Sequence, residues 1–155
     1  MTPSIFEAAL DYAKNGLHVF PVKANGKTPL TAHGFKDATI DPEQIATWWD
    51  EYPGANVGIA TGTSGLFVID VDVKDGKPGL ASFAKLARGV DLSHVPTVRT
   101  PSGGVHYYFA DPDGEFGITA GTLGDGIDTR GRGGYVVAPP SIIDGVAYVW
   151  DEPDQ

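Results

Sequence analysis

The chain has 155 residues with 20 acidic against 11 basic side chains, and its net charge of −9 argues against a module that holds nucleic acid through phosphate contacts alone. The absence of cysteine excludes a disulfide framework and a thiolate zinc site, and it suits a reducing cytoplasm. The length and the 41% of hydrophobic residues predict one globular domain with a hydrophobic core.

The first part of the chain predicts two helices and one strand. Residues 4–15 place apolar side chains at helical spacing, between a serine N-cap and a glycine stop. Residues 17–22, LHVFPV, predict a short strand, and residues 41–52 predict a helix that begins with an aspartate N-cap followed by proline. For Trp48 and Trp49 in that helix, we expect packing in the core rather than base stacking.

The middle of the chain predicts two adjacent strands, a helix and a hairpin. Residues 56–61 and 66–73 both have strand character and are joined by a tight turn, so we expect them to be antiparallel neighbours. Residues 97–100 and 105–110 resemble a second hairpin around a glycine turn, and residues 79–88 predict a third helix. The side of this helix that we expect to be buried carries Leu80, Phe83, Ala84, Leu86 and Ala87.

The last part of the chain predicts strands after an irregular excursion. Residues 111–126 are rich in Gly, Asp, Pro and Thr, which predicts a mobile segment without regular structure. Residues 126–140 return to strand character on both sides of a turn of Gly and Arg, and residues 146–150 predict a last strand. The acidic end at 151–155 indicates a linker to a further domain rather than a packed C-terminus.

The sequence contains no sign of membrane insertion or export. No apolar stretch approaches the roughly 20 residues that a membrane span requires. The N-terminus also lacks the basic and then apolar pattern of a signal peptide. We therefore expect a soluble, unprocessed, cytoplasmic protein with no membrane partner.

A pair of carboxylates interrupts the apolar run LFVIDVDV at residues 66–73. Alternation along a strand places Asp70 and Asp72 on one face and turns Ile69 and Val71 to the other. Two like charges a few Å apart repel each other unless a cation lies between them, and Mg²⁺ and Mn²⁺ prefer such oxygen ligands. In the alternative, one aspartate pairs with an arginine or a turn amide and the other is solvated.

A second candidate segment is SGGVH, in the turn and first strand positions of the second hairpin. Gly103 and Gly104 would let the backbone approach a phosphate closely, and the Ser102 hydroxyl would add a donor. His106 would donate a ring N–H to a phosphate oxygen. The alternative is an ordinary glycine hairpin with a partly exposed histidine.

A third candidate segment is IDTRGR at residues 127–132. Asp128 would be a third metal ligand, and Arg130 or Arg132 would bind phosphates through two hydrogen bonds. The alternative is an ion pair on a surface turn. Three carboxylates, a Gly-Gly-His phosphate cradle and guanidinium groups together indicate a two-metal site for nucleotidyl transfer.

Three stretches, in this order, resemble the motifs of the archaeo-eukaryotic primase superfamily: VIDVD, TPSGGVHYYF and IDTRGRGGYVVAPPS. Within that superfamily the chain resembles the bifunctional primase-polymerase domain at the N-terminus of plasmid and phage replication proteins. The likeness covers nearly the whole chain, because KANGKTPLTAHGFKDAT and NVGIATG also resemble the N-terminal part of that family.

The resemblance implies an α+β fold in which an N-terminal α/β part packs on an RRM-like mixed or antiparallel sheet. The active site would lie in the groove between the two parts. On this basis residues 1–155 form one catalytic domain, with about 1–62 in the N-terminal part and about 63–155 in the RRM-like part.

The resemblance also implies roles for individual residues. Asp70, Asp72 and Asp128 match the metal-binding carboxylates, and Ser102 and His106 match the contacts to the triphosphate of the incoming nucleotide. A last group, whose members would contact the triphosphate or the template, consists of Arg130 and Lys27. For Lys27 the alternative is a solvated turn lysine.

The implied activity is that of a DNA primase and template-directed DNA polymerase that uses NTPs or dNTPs with Mg²⁺ or Mn²⁺, without zinc, and releases pyrophosphate. The partners would be single-stranded DNA template and primer, held weakly by this domain alone, and a C-terminal helicase or accessory domain. The location would be the cytoplasm of a bacterial or archaeal host, with a phage or plasmid as a candidate source of the gene.

Two other functions remain open from the sequence. An inactive relative would bind nucleotides or replication partners without chemistry, although a degenerate copy would be expected to lose a carboxylate. A metal-dependent phosphodiesterase or nuclease would use the same carboxylates for hydrolysis, although SGGVH suits a triphosphate better than a duplex backbone.

Overall fold

The computed structural model describes residues 3–151 of the chain, and these residues include three α-helices and eleven β-strands. The helices are α1 (Ile5–Lys14), α2 (Pro42–Glu51) and α3 (Gly79–Leu86). The strands are β1 (Val19–Val22), β2 (Asn56–Ala60), β3 (Leu66–Val71), β4 (Thr97–Arg99), β5 (Val105–Ala110), β6 (Thr119–Ala120), β7 (Ile127–Arg130), β8 (Tyr135–Ala138), β9 (Ile142–Ile143), β10 (Val146–Ala147) and β11 (Val149–Asp151). The predicted acidic linker lies outside the described residues from position 152 onward.

Helices α1 and α2 confirm the first two helix predictions, because their caps are local features of the sequence. The Ser4 hydroxyl accepts from the backbone N–H of Glu7, and the Glu7 side chain accepts from the N–H of Ser4. Such a capping box contributes about 1 kcal/mol. In α2 the Asp41 carboxylate caps the first turn, and Trp49 is buried with its indole N–H donating to the Ala55 carbonyl at 3.1 Å.

A three-stranded antiparallel sheet in the order β1-β2-β8 forms the centre of the core. Every residue of β1 and β2 is buried, as expected for strands covered on both faces. Helices α1 and α2 pack against this sheet, and its core continues into Val68, Val98 and Tyr108 of a second sheet. The two sheets therefore share one hydrophobic core.

The second sheet has six antiparallel strands in the order β11-β4-β5-β3-β7-β6. Its central strand β3 turns Val68 toward the shared core and Val71 toward α3. A small second cluster forms there from Val71, Phe83 and Ile127, and the Phe83 ring stacks on Tyr107 with ring centroids 4.4 Å apart. The strand with the paired carboxylates is thus held between a strand on each side.

The predicted pairing of residues 56–61 with residues 66–73 is wrong. Strand β2 already has β1 and β8 on its two edges, whereas β3 pairs with β5 and β7 in the other sheet. The turn between β2 and β3 carries the chain across from one sheet to the other. A side chain at Gly62 would lie 2.7 Å from the Arg132 backbone, so this crossing packs tightly against the connection from β7 to β8.

The predicted buried side of α3 is only partly correct. Phe83 is buried and Ala87 is half-buried, but Leu80 is 52% exposed, Leu86 is 43% exposed and Ala84 is exposed. The reason is that α3 has only eight residues and packs against β3 and β7 chiefly through Phe83.

The remaining predictions are confirmed with changes. Strands β4 and β5 form the expected hairpin, and the excursion at 111–126 is irregular apart from the two-residue strand β6. The predicted last strand is divided into β10, which pairs with β9, and β11, which pairs with β4.

The subdomain boundary near residue 62 stays a prediction, and β8 pairs with β2 across it. Within residues 3–151, no helix is long and apolar enough to cross a membrane.

Candidate functional site

Three predicted site residues lie in one row across neighbouring strands of the six-stranded sheet. Asp70 on β3 is in register with His106 on β5 and with Asp128 on β7. Residues directly opposite each other on paired strands point to the same face. Because Asp70 follows Val68 by two positions, this row lies on the face that turns toward the three-stranded sheet.

Asp70 and His106 form a close pair within this row. The His106 Nε2 atom lies 3.4 Å from Asp70 Oδ1, and residue His106 is buried at 6% exposure, whereas Asp70 is partly exposed. Burial acts most strongly on the pKa of Asp70 and raises it, but the hydrogen bond and electrostatic interaction with His106 oppose burial. With the charges of Arg130 and Lys27 added, the net pKa of Asp70 lies below its ordinary value of 3.8. Asp70 is therefore held as an anion.

His106 keeps one unused polar atom in this arrangement. Its Nδ1 is buried and has no hydrogen-bond partner among the described residues. Buried polar groups are almost always paired in folded proteins, so this unpaired nitrogen is an exception.

Asp72 lies just beyond the end of β3 in a different environment. Its Oδ1 accepts from the backbone N–H of Lys74 at 2.8 Å, and its Oδ2 lies 3.3 Å from Lys77 Nζ. Asp72 therefore makes the contact with a turn amide that was considered as the alternative to a metal pair. Asp128 accepts from the Gly121 N–H at 3.2 Å and lies 3.9 Å from a guanidinium nitrogen of Arg130.

The predicted metal ligands fit a hard cation in chemistry, and two of the three are brought together. Asp70 and Asp128 face each other across β3 and β7, and like charges at such positions destabilise a sheet unless they are compensated. Asp72 would have to exchange Lys77 for the metal. Among residues 3–151, no three His, Cys, Asp or Glu side chains are already arranged to hold a metal ion.

Two connected clefts open beside Asp70 and His106 of this row. The hairpin cleft, of about 240 Å³, is lined by Lys27, Asp70, Val71, Asp72, Lys74, Thr100, Pro101, Ser102, His106, Ile143, Asp144, Val146 and Tyr148. The inter-sheet cleft, of about 450 Å³, is lined by Lys27, Phe35, Asp70, His106, Ile118, Ala120, Arg130, Gly133, Gly134, Tyr135, Val136, Val137 and Tyr148. Because four residues line both clefts, the two form one continuous groove.

The predicted phosphate contacts divide between these clefts. Ser102 lines the hairpin cleft, Arg130 lines the inter-sheet cleft, and Lys27 lines both. Arg132 does not line either, because its guanidinium donates to the Gly114 carbonyl at 2.8 Å and anchors the irregular excursion.

Gly103 and Gly104 do not line either cleft, and both have a structural reason to be glycine. Gly103 has a φ of +91°, and a side chain at Gly104 would collide with the Val71 carbonyl. The close approach of the hairpin to β3 explains Gly104, so a phosphate contact through these glycines stays a prediction.

Sequence analysis missed Tyr148, which lies at the junction of the clefts. It is 3% exposed, and burial together with the charge of Asp70 raises the pKa of its hydroxyl to about 12. Its ring centroid lies 6.0 Å from that of His106. No motif surrounds Tyr148 in the sequence, where it reads only as part of a strand.

A second missed residue is Asn56, a polar side chain at the start of the apolar strand β2. Its Nδ2 donates to the carbonyls of Gly26 and Ile142 at 3.1 and 3.0 Å, and its Oδ1 accepts from the Ile142 N–H at 3.0 Å. The Tyr135 hydroxyl also donates to the Lys27 carbonyl at 2.9 Å. The Asn56 bonds connect the Lys27 loop to the β9-β10 segment, and the Tyr135 bond connects the same loop to β8. The Lys27 loop and the β9-β10 segment both line the hairpin cleft. A buried asparagine at a strand end was the available signal.

Comparison with known proteins identifies a family for this chain. A family model described as bifunctional DNA primase/polymerase, N-terminal, matches residues 9–155. No curated protein matches the chain at a significant level. The matched span includes the whole row of Asp128, Asp70 and His106 and every element that lines the two clefts.

Proposed function

Since the chain belongs to the bifunctional DNA primase/polymerase N-terminal family, we propose that it catalyses metal-dependent, template-directed nucleotidyl transfer in DNA replication. The observation that carries this proposal is the row of Asp128, Asp70 and His106 on three neighbouring strands, in which Asp70 and His106 line both clefts of the continuous groove. We further propose the superfamily's core arrangement, with the three-stranded sheet and its helices as the N-terminal part and the six-stranded sheet as the RRM-like part.

In the proposed reaction, the 3′-hydroxyl of a primer or initiating nucleotide attacks the α-phosphorus of an incoming NTP or dNTP. The new P–O bond forms as the bond to the β-phosphate breaks, pyrophosphate leaves, and the hydroxyl proton passes to solvent. Bound Mg²⁺ or Mn²⁺ would activate the attacking oxygen and stabilise the leaving pyrophosphate.

The proposed roles follow from positions in and beside the groove. Asp70 and Asp72 line the hairpin cleft and, with Asp128 next to Asp70 on β7, would hold the cations. His106, oriented by Asp70, and Ser102 would contact the triphosphate. This assignment is supported by the place of both residues in the hairpin cleft and by the hydrogen bonds that fix the backbone of the neighbouring Lys27 loop.

The partners of the reaction are proposals as well. Family membership implies nucleotide and DNA binding, so a single-stranded template and a primer are the expected macromolecular ligands. The acidic surface implies that this domain holds DNA weakly by itself, and a C-terminal helicase or accessory domain would supply the missing contacts. The proposed location is the cytoplasm of a bacterial or archaeal cell.

Isosteric substitution of the aligned carboxylates tests the proposed function. Asp70→Asn and Asp128→Asn should each lower nucleotide incorporation on a primed single-stranded template by at least about a hundredfold, because metal-centred charge stabilisation contributes several kcal/mol. The matched control is Asp50→Asn on the exposed surface of α2, which should leave incorporation unchanged. Normal incorporation by folded Asp70→Asn and Asp128→Asn proteins would refute the assignment.

A binding module without chemistry is the second candidate. The observation that favours it is the pairing of Asp72 with Lys77, which leaves only two carboxylates available together. Calorimetry with Mn²⁺ and nucleotide, run beside the incorporation assay, separates the two functions. Binding without incorporation on either primed or unprimed templates would establish the module.

A further inference from the structure

We propose that the inter-sheet cleft receives the base of the incoming nucleotide, against a wall formed by Phe35 and Tyr135, while the hairpin cleft receives the triphosphate. This inference rests on the proposed function and assigns its substrate to two separate parts of the groove.

The wall is a pair of stacked rings held by the core. Phe35 and Tyr135 have ring centroids 6.1 Å apart and an interplanar angle of 27°. The Phe20 ring packs edge-on against Tyr135 at 5.2 Å, and the Tyr135 hydroxyl is fixed by its bond to the Lys27 carbonyl. Both rings are half-buried at the margin of the shared core and line the cleft. The wall is therefore aromatic and held in place by its neighbours.

Other residues of the inter-sheet cleft are apolar as well. Ile118 lines this cleft with 53% of its surface exposed, and Ala120 lines it two positions further along the chain. A side chain at Gly134 would lie 3.2 Å from Ile118 Cγ1, so Ile118 packs close to the backbone beside Tyr135. An aromatic and aliphatic lining suits a nucleobase, since bases stack on aromatic rings whatever their sequence.

The hairpin cleft has the opposite chemistry. Its lining includes Lys74 and the hydroxyls of Thr100 and Ser102, which can donate to a phosphate chain. It also includes the carboxylates of Asp70, Asp72 and Asp144, so a phosphate chain would enter with bound cations. The aromatic pair does not reach it. Phosphates and base thus find matching groups in different clefts.

The junction of the two clefts fixes the direction of the nucleotide. Lys27, Asp70, His106 and Tyr148 line both clefts, so the α-phosphate and the sugar would lie there. Arg130 lines only the inter-sheet cleft. Burial raises the pKa of the Tyr135 hydroxyl, and the charge of Arg130 opposes this rise. The inference therefore assigns Arg130 to the base or its template partner rather than to the triphosphate.

Calorimetry on the full chain in Mn²⁺, with dATP and with inorganic tripolyphosphate, tests the division. Phe35→Ala should weaken dATP binding about tenfold, since stacking of a base contributes about 1–3 kcal/mol, and should leave tripolyphosphate binding unchanged. Phe35→Tyr keeps the ring and should restore dATP affinity. Lys27→Ala should weaken both ligands, because Lys27 lines the hairpin cleft as well.

Two further variants control for folding. Leu17→Ala removes an apolar contact at the margin of the same core without touching either cleft, and it should leave both affinities unchanged. Ile118→Ser changes an exposed side chain of the inter-sheet cleft, so we expect the protein to fold. This variant should lower the affinity for dATP alone. It keeps the inference testable if Phe35→Ala does not fold.

The inference is overturned if Phe35→Ala and Ile118→Ser leave dATP affinity unchanged, if they weaken tripolyphosphate equally, or if they weaken only a primed DNA template. Its failure is distinct from failure of the proposed function. Incorporation by the unaltered chain with no effect of these variants would refute the subsite alone. A dATP-specific loss in a chain that incorporates nothing would support the subsite and refute the polymerase.

Discussion

At the scale of single residues, the two aspartates of the D-x-D meet different surroundings although they are two positions apart. Asp70 lies within β3 beside a buried histidine, and its pKa is lowered. Asp72 lies after the strand end, where a turn amide and an ammonium group already occupy its two oxygens. Asp72 therefore makes the turn contact of the sequence-based alternative, whereas metal binding by either aspartate stays a prediction.

Lys77 should act as a competitor for the metal at Asp72. The pair is partly exposed, with Lys77 at 50% and Asp72 at 26%, so solvent screens the interaction and a cation can displace the lysine. Lys77→Met removes the charge and keeps the apolar stem. We expect Mn²⁺ to bind about three- to fivefold more tightly, as measured by electron paramagnetic resonance of free Mn²⁺ in the absence of nucleotide.

The matched control for this prediction is Lys85→Met, an exposed position on α3. It should leave Mn²⁺ affinity unchanged, because the lysine is not paired with a predicted ligand. Equal or weaker Mn²⁺ binding by the Lys77→Met protein would show that Lys77 does not compete for Asp72.

At the scale of elements, the site is assembled by connections that are short in sequence but cross between sheets. The turns between β2 and β3 and between β7 and β8 lie against each other, and the buried Thr61 hydroxyl donates to the Gly131 carbonyl at 2.6 Å. Each crossing carries a strand of one sheet directly into the other. The groove is consequently bounded by both sheets.

Asn56 is the element-scale feature with the clearest expected effect. Asn56→Ala would leave the Gly26 carbonyl and both backbone groups of Ile142 without their partners. We expect the free energy of unfolding in urea to fall by about 2–3 kcal/mol, since three partly buried hydrogen bonds are lost and each contributes about 0.5–1.5 kcal/mol. The Lys27 loop should also loosen, so that nucleotide affinity falls in the folded protein.

Asn15→Ala is the control for this effect. Asn15 makes one exposed bond to the Asp11 carbonyl, so its loss should cost no more than about 0.5 kcal/mol. A comparable loss of stability in both variants would contradict a special role for Asn56.

At the scale of the whole molecule, charge and architecture act in opposite directions. The basic residues Lys27, Lys74 and Arg130 line the groove, whereas the chain as a whole carries a net charge of −9. Local cations suit the phosphates of one nucleotide. They do not provide the extended basic surface that holds a DNA strand without other help.

Weak binding of DNA by the isolated domain is the corresponding prediction. Fluorescence anisotropy with a labelled single-stranded oligonucleotide should give a dissociation constant weaker than about 10 µM at about 0.15 M salt, with a shallow dependence on salt concentration. Adding Mn²⁺ and dNTP should tighten the complex, because they add positive charge and a base at the site. Submicromolar binding with a steep salt dependence and no effect of Mn²⁺ would contradict this prediction.

The sequence by itself determined what depends on neighbouring residues. Helices α1 and α2 were predictable because their caps and their apolar spacing act within one or two turns. The row of Asp70, His106 and Asp128 was anticipated as a set of residues, because strand alternation and the motif order identify chemistry without a fold.

Only the tertiary structure decided which strands pair and which groups meet. The choice of partners for β2 and β3 depends on which strand edges are free, and β8, far along the chain, occupies the edge that a local hairpin would have used. Tyr148 and Asn56 entered the site for the same reason, since their contacts lie 30 to 86 positions away in the sequence. Local sterics and hydrogen bonds shape each segment, whereas competition among distant segments for the same edges and the same core sets the site.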